Sequence, residues 1–304
     1  MQFSPSLGGQ VVPSASQLSA MTRLFSSGVF RELASKGRSA LFSRLLSMTP
    51  IGQRRSDATV GDAFDSAFSV LKTAGLRDEY VYRAALTKKV LLGKHSLNTA
   101  CMLNEFRAGA CKADLVILNG TSTVYEIKSE RDSLTRLVNQ LVNYQKVFAS
   151  VNVIASESHI SSVLAMVPDH VGVLSLTRRY TIEIIRDAVI SPDRTCSATI
   201  FESVRAAEAK DMLKLLGVNV PNLPNTLVHA AMRDLFVKLP SQDVHAAMVK
   251  TLRRTRDLTP LSDLIDRLPA SLHAAALSIQ VRRNDHGRLV EAVSTPLDKA
   301  MAWV

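Results

Sequence analysis

The chain has only three cysteines, Cys101, Cys111 and Cys196, an odd number, far apart and without a second pair at metal-ligand spacing. That pattern argues against a disulfide framework and against a structural zinc site, and it points to a reduced, cytoplasmic compartment. No run of about 18 consecutive apolar residues occurs, so no membrane span is expected. A P-loop, a dinucleotide glycine fingerprint and a Ser-His-Asp array are also absent, which removes the commonest nucleotide-binding and acyl-transfer readings. Acids are almost missing from the first 56 residues, where Arg23, Arg31, Lys36, Arg38, Arg44, Arg54 and Arg55 face the single acid Glu32. The formal charge of +10 is therefore largely N-terminal, and residues 57–196 are near neutral. Net charge alone speaks to solubility and non-specific association, not to a specific partner.

With 304 residues and 46% apolar content, the chain can bury one large core or two modest ones. Three segments are predicted: a basic N-terminal arm with helices at 1–56, an α/β core at 57–196, and a helical C-terminal domain at 197–304. The first 16 residues, rich in Ser, Pro and Gly, read as a flexible arm. Leu18, Met21, Leu24 and Phe25, then Leu41, Phe42, Leu45 and Leu46, recur at helical spacing and predict two short amphipathic helices. Val60 to Ala74, Asp78 to Leu92 and Leu97 to Phe106 read as three more helical stretches. A helix from about Ser133 to Phe148 follows, then a strand Val151–Ala155, a short helix to Met166, and strands near Val171–Leu176 and Tyr180–Ile185. The expected class is α/β, a mixed central sheet flanked by helices. Beyond Ser197 the fragments His229-Ala-Ala-Met232, His245-Ala-Ala-Met248 and His273-Ala-Ala-Ala276 echo each other at unequal offsets, and their histidines read as packed or surface residues.

The chemistry is concentrated in Lys112-Ala-Asp-Leu-Val-Ile-Leu-Asn-Gly-Thr-Ser-Thr-Val-Tyr-Glu-Ile-Lys128. Two apolar runs joined at Asn119-Gly120 predict a β-hairpin. Strand alternation places Glu126 and Lys128 on one face and Tyr125 and Ile127 on the other. Asp114 enters the first strand, and Glu105 lies nine residues earlier. Gln140 and Tyr144, spaced i and i+4, share one face of the following helix. By itself, such a pattern also describes an ion pair on a solvated sheet and an ordinary amphipathic helix. Glu130 continues the alternation past the strand end, and His95, in a Gly-Lys-His-Ser turn, is a weak candidate for phosphate contact.

Taken together, Glu105, Asp114, Glu126-x-Lys128 and Gln140-x-x-x-Tyr144 resemble the PD-(D/E)XK, restriction-endonuclease-like nuclease superfamily, in its RecB-type branch. The wider stretch from Leu18 to about Ala188, including Phe25-Ser-Ser-Gly-Val-Phe-Arg-Glu32 and Tyr82-Arg-Ala-Ala-Leu-Thr-Lys-Lys89, resembles a bacterial family of uncharacterised proteins within it. This is also why the Arg- and Ser-rich start is read as part of the folded chain and not as an organellar transit peptide. One departure is Ala113 before Asp114, where the superfamily pattern has proline.

The resemblance implies a restriction-endonuclease-like core and a metal-dependent phosphodiesterase. Glu105, Asp114 and Glu126, with the Ile127 carbonyl, would be the ligands of Mg²⁺ or Mn²⁺, since hard divalent cations prefer oxygen. Lys128 would orient water and stabilise charge on phosphate. Gln140 and Tyr144 would act from the neighbouring helix. The expected substrate is nucleic acid, DNA first, cut in bacterial defence, repair or mobile-element biology. Two alternatives stand beside it: a catalytically silent nuclease-like module that binds nucleic acid or a protein partner, the latter through the C-terminal helices, and a ribonuclease.

Overall fold

The computed structural model describes residues 13–53, 57–73, 77–220 and 222–304. Most of the expected N-terminal arm lies outside the described residues. Within them, Ser14 already caps the first helix by accepting a hydrogen bond from the Gln17 N–H. Three N-terminal helices follow one another where two are predicted: α1 (Ala15–Leu24), α2 (Ser27–Lys36) and α3 (Ala40–Ser47). The unpredicted one, α2, buries Val29, Phe30, Leu33 and Ala34 at i, i+1, i+4, i+5 spacing and ends at Gly37 in the left-handed conformation.

Next come α4 (Val60–Leu71) and α5 (Glu79–Leu86), which continues through a π-helical turn (Thr87–Leu91) into α6 (Leu92–Lys94). Six strands form one mixed sheet in chain order: β1 (Cys101–Ala108), β2 (Cys111–Asn119), β3 (Thr121–Lys128), β4 (Ser150–Ser156), β5 (Gly172–Leu176) and β6 (Ile182–Arg186). Strands β3, β4 and β5 are parallel, and β1–β2, β2–β3 and β5–β6 are antiparallel. The parallel crossovers carry α7 (Leu137–Tyr144) and α8 (Ile160–Met166). An α/β fold with a mixed sheet, flanking helices and a helical C-terminal region is what the sequence predicts.

One element differs in kind. Residues 97–106, read as helical, contribute instead to strand β1. It pairs with β2 from Cys101↔Leu118 to Ala108↔Cys111, and the connection turns at Gly109, whose φ is +58°. The apolar residues there suit either period, and sequence-distant ladder hydrogen bonds decide between them. The expected hairpin is thus a three-stranded meander.

The remaining helices are α9 (Ser197–Ser203), α10 (Ala206–Leu215), α11 (Asn225–Val237), α12 (Ser241–Thr255), α13 (Ser262–Arg267), α14 (His273–Ser278), α15 (His286–Val293) and α16 (Leu297–Met301). They are shared between two cores. On one sheet face, α9–α12 join α7 over Val116, Val124, Val153 and Val173. On the other, α13–α16 join the N-terminal helices over Leu115, Ile117, Ile127 and Ile154. Segment 197–304 therefore packs on the sheet from both sides. Among the described residues, no helix is long and apolar enough to cross a membrane.

Candidate active site

Strands β2 and β3 are paired from Asn119↔Thr121 as far as Leu115↔Tyr125. The next two positions, Asp114 and Glu126, face each other just beyond that last pair, on the face that carries Val116 and Val124. The Asp114 carboxylate then substitutes for a ladder partner: its Oδ2 accepts the Ile127 N–H at 2.8 Å, while its Oδ1 accepts no hydrogen bond among the described residues. Glu126 is 1% exposed and Lys128 5%. Charges so deeply buried persist only if paired, and Lys128 Nζ donates to Glu126 Oε1 at 2.6 Å.

Helix α7 completes the cluster because its i, i+4 face points at β3. Tyr144, fully buried, donates its hydroxyl to Glu126 Oε2 at 2.7 Å and lies 2.7 Å from the Lys112 carbonyl oxygen. Gln140 Oε1 accepts from Lys128 Nζ at 3.0 Å. Leu137 and Leu141 hold the helix against the sheet, while Val138 and Val142 face outward. Five of the six sequence-predicted residues, Asp114, Glu126, Lys128, Gln140 and Tyr144, thus meet in one cluster.

Glu105 does not join them. Its strand position falls opposite Asp114, but its φ is +49° and its side chain turns outward to Lys112 at 3.6 Å, both more than half exposed. The expectation that Glu105 reaches the cleft depended on a helix that is not there. A different acid, which the sequence pattern gave no role, acts on Asp114. Glu79, the first residue of α5 after the N-cap Asp78, contributes to raising the Asp114 pKa by its charge and is itself ion-paired to Arg83. The signal available in sequence was Asp-Glu at the start of a predicted helix, which is ordinary helix-start chemistry.

Glu130 lies past the end of β3, where it binds Arg77 at 2.7 Å and Tyr82 at 3.0 Å; Arg77 also donates to the carbonyls of Leu176 and Thr177. That clamp ties the exit of β3 to the end of β5. His95 sits beside Asn119 at the other end of β2, 2.9 Å from its amide. This is roughly 17 Å along the strand from Asp114, too far to serve the cluster. His245 is buried and lies 2.7 Å from Ser122, a packed position as predicted.

Electrostatically, the cluster is short of positive charge. Burial first, and the Glu126 carboxylate second, push the Asp114 pKa up to about 7. The Tyr144 phenol is held far above its ordinary value by burial and by Glu126, so it stays a donor. Two facing carboxylates, one of them paired to Lys128 and the other with a free oxygen on Asp114, make an oxygen donor set suited to a hard divalent cation. Among the described residues, no three His, Cys, Asp or Glu side chains converge to hold a metal. A bound cation would therefore complete its shell with the Ile127 carbonyl and water, as Mg²⁺ commonly does.

A family model described as Bacteriophage P4 protein cII matches residues 72–261, well over half of the chain. The chain belongs to the bacteriophage P4 cII family. The cII match spans α5 to the turn before α13 and so contains every residue of the cluster. Protein cII of Enterobacteria phage P4 is 27% identical over 206 residues, covering 64% of this chain and 76% of that protein. Among solved structures, the SPO1766 protein of unknown function from Silicibacter pomeroyi is 19% identical, with a TM-score of 0.30, covering 46% of this chain and 92% of that one.

Proposed function

We propose that this cII family member is a metal-dependent nuclease that hydrolyses phosphodiester bonds, DNA first. The observation that carries the reading is the Asp114–Glu126 pair facing each other where β2 and β3 part, with Lys128 bridging Glu126 and Gln140. It agrees with the PD-(D/E)XK pattern read in the sequence, with Glu79 in place of Glu105 as the nearby helix acid.

In this reading, Asp114, Glu126 and the Ile127 carbonyl hold Mg²⁺ or Mn²⁺. The cation, when bound, supplies an acidified water and positive charge for the phosphate. Lys128 places its ammonium where charge develops on the phosphate oxygens and orients the attacking water. Gln140 fixes the Lys128 rotamer, and Tyr144 fixes Glu126. Bacterial defence, repair or mobile-element biology in the cytoplasm is the setting such an enzyme would serve.

The binding-only reading has one observation in its favour: both Glu126 oxygens are already engaged by Lys128 and Tyr144, and among the described residues no third His, Cys, Asp or Glu converges with the pair to hold a metal. The test is a panel of labelled single- and double-stranded DNA and RNA with Mg²⁺ or Mn²⁺. Wild-type protein is expected to cut, and Glu126→Gln to abolish cutting with little change in fold, because the swap keeps shape and deletes charge. Equal cutting by the variant would move the active site elsewhere. Metal binding without cutting of any substrate would favour the silent module, and cutting of RNA alone the ribonuclease.

A further inference from the structure

Strand β1 is an edge strand, and its outer side faces a concavity of about 780 Å³ walled by α12–α14 and the segments that join and follow them. A second cavity of about 410 Å³ shares Asn104, Ser278 and Ile279 with it, so the two form one groove. The second cavity is bounded by Arg83 and Glu105. Arg83 is paired to Glu79, whose charge reaches Asp114, and Glu105 stands opposite Asp114 in the β1–β2 register. The groove therefore follows the free edge of the sheet and ends at Arg83 and Glu105, beside the strand position opposite Asp114.

Its lining is uneven in charge. Arg205 and Arg282 stand on the larger cavity and Arg31 on the smaller, all three exposed and without an acidic partner among the described residues. Of the acids, Asp257 lines the first cavity, and Glu105 in the second is paired to Lys112. Between the arginines the wall is apolar, with Leu258, Leu277 and Ile279. At the junction, Asn104 Oδ1 is buried and accepts no hydrogen bond among the described residues.

We propose that this groove binds a single strand of nucleic acid beside the candidate site; the proposal rests on the nuclease reading above. Arginines along a groove follow phosphates, and apolar walls take base faces, which is how single strands are held without sequence preference. A cleft of this volume is the size of a ligand pocket. It admits a flexible strand a few nucleotides at a time, whereas a duplex would lie across its mouth.

The experiment measures binding with cleavage switched off. Fluorescence anisotropy of a labelled 15-nucleotide oligo-dT and of a blunt 15-base-pair duplex is followed on the full chain in EDTA across a salt series, with folding checked by circular dichroism. The single strand is expected to bind more tightly. Arg205→Ala/Arg282→Ala should weaken it about tenfold at low salt and reduce the log K against log salt slope by about one to two. Arg31→Ala should give a smaller loss in the same direction. Preference for duplex, unchanged affinity in the double variant, or displacement of the strand by equimolar poly-glutamate would overturn the proposal; the last would mark a charge-only or acidic-peptide surface. Cleavage with Mn²⁺ is measured separately. If wild type and variants cut alike while affinities are equal, the groove fails and the nuclease reading stands. If the strand binds as expected and nothing is cut, the groove stands and the nuclease reading fails.

Discussion

Tyr144 donates its hydroxyl to Glu126 Oε2 at 2.7 Å, so a residue on α7 fixes the carboxylate at the centre of the cluster from eighteen positions away in sequence. The Tyr144 hydroxyl oxygen also lies 2.7 Å from the Lys112 carbonyl oxygen, two residues before Asp114. Tyr144→Phe keeps the ring and removes this hydroxyl. Stability in urea should fall by about 1–3 kcal/mol, because Glu126 and a backbone carbonyl lose a buried donor. If the nuclease reading holds, kcat should fall more than KM rises. A variant with unchanged urea midpoint would mean that the hydroxyl is not buried between its two acceptors.

Lys128→Ala leaves Glu126 buried without its counter-charge. The metal-free variant should lose about 3–5 kcal/mol, the usual cost of breaking a buried pair from one side. Mn²⁺ should then raise its melting temperature more than it raises that of wild type, since the cation takes over neutralisation of Glu126. Equal Mn²⁺ shifts in the two proteins would argue that the cation does not bind at Glu126.

Burial and the facing Glu126 push the Asp114 pKa up to about 7 from its ordinary value near 3.8, which fixes a sign. Between those values the folded chain holds a proton that the unfolded chain has released, so metal-free stability should decrease as pH rises from about 4 to about 7. A divalent cation must displace that proton. Calorimetry in buffers of different ionisation enthalpy should therefore show proton release on Mn²⁺ binding at pH 6, fading above pH 8. Absence of proton release, with binding intact, would place the cation away from Asp114.

Burial pushes the His245 pKa down to about 4. The unfolded chain takes up a proton near pH 6.5 that the folded one refuses, so this contribution falls as pH drops from about 6.5 to about 4. His245→Gln, which keeps a partner for Ser122, should flatten that arm of the stability curve. Persistence of the full acid loss in the variant would assign it to other groups.

Glu105→Gln and Glu79→Gln separate the acid expected from sequence, now on strand β1, from the acid at the start of α5. Given the geometry, the first should leave Mn²⁺ affinity nearly unchanged, since Glu105 pairs with Lys112 at the surface. The second should lower the Asp114 pKa, because it removes a nearby negative charge, and shift the pH dependence of metal binding downwards. Comparison of the two titrations decides which acid belongs to the site.

The sequence by itself determined what local periodicity can encode. The β2–β3 turn at Asn119-Gly120, the common face of Glu126 and Lys128, the i, i+4 pairing of Gln140 and Tyr144, and the mixed αβ character all follow from a period of 2 or 3.6 and from turn chemistry. What only the tertiary structure decided were the features set by partners distant in the chain. Residues 101–108 became a strand because β2 offered them a ladder, and that choice turned Glu105 outward. Glu79 approaches Asp114 only because α5 packs against the sheet, a relation that no spacing in the chain records. The helices after Ser197 divide between two sheet faces for the same reason: each buries its apolar side wherever the sheet leaves one uncovered, and that is a property of the assembled layers.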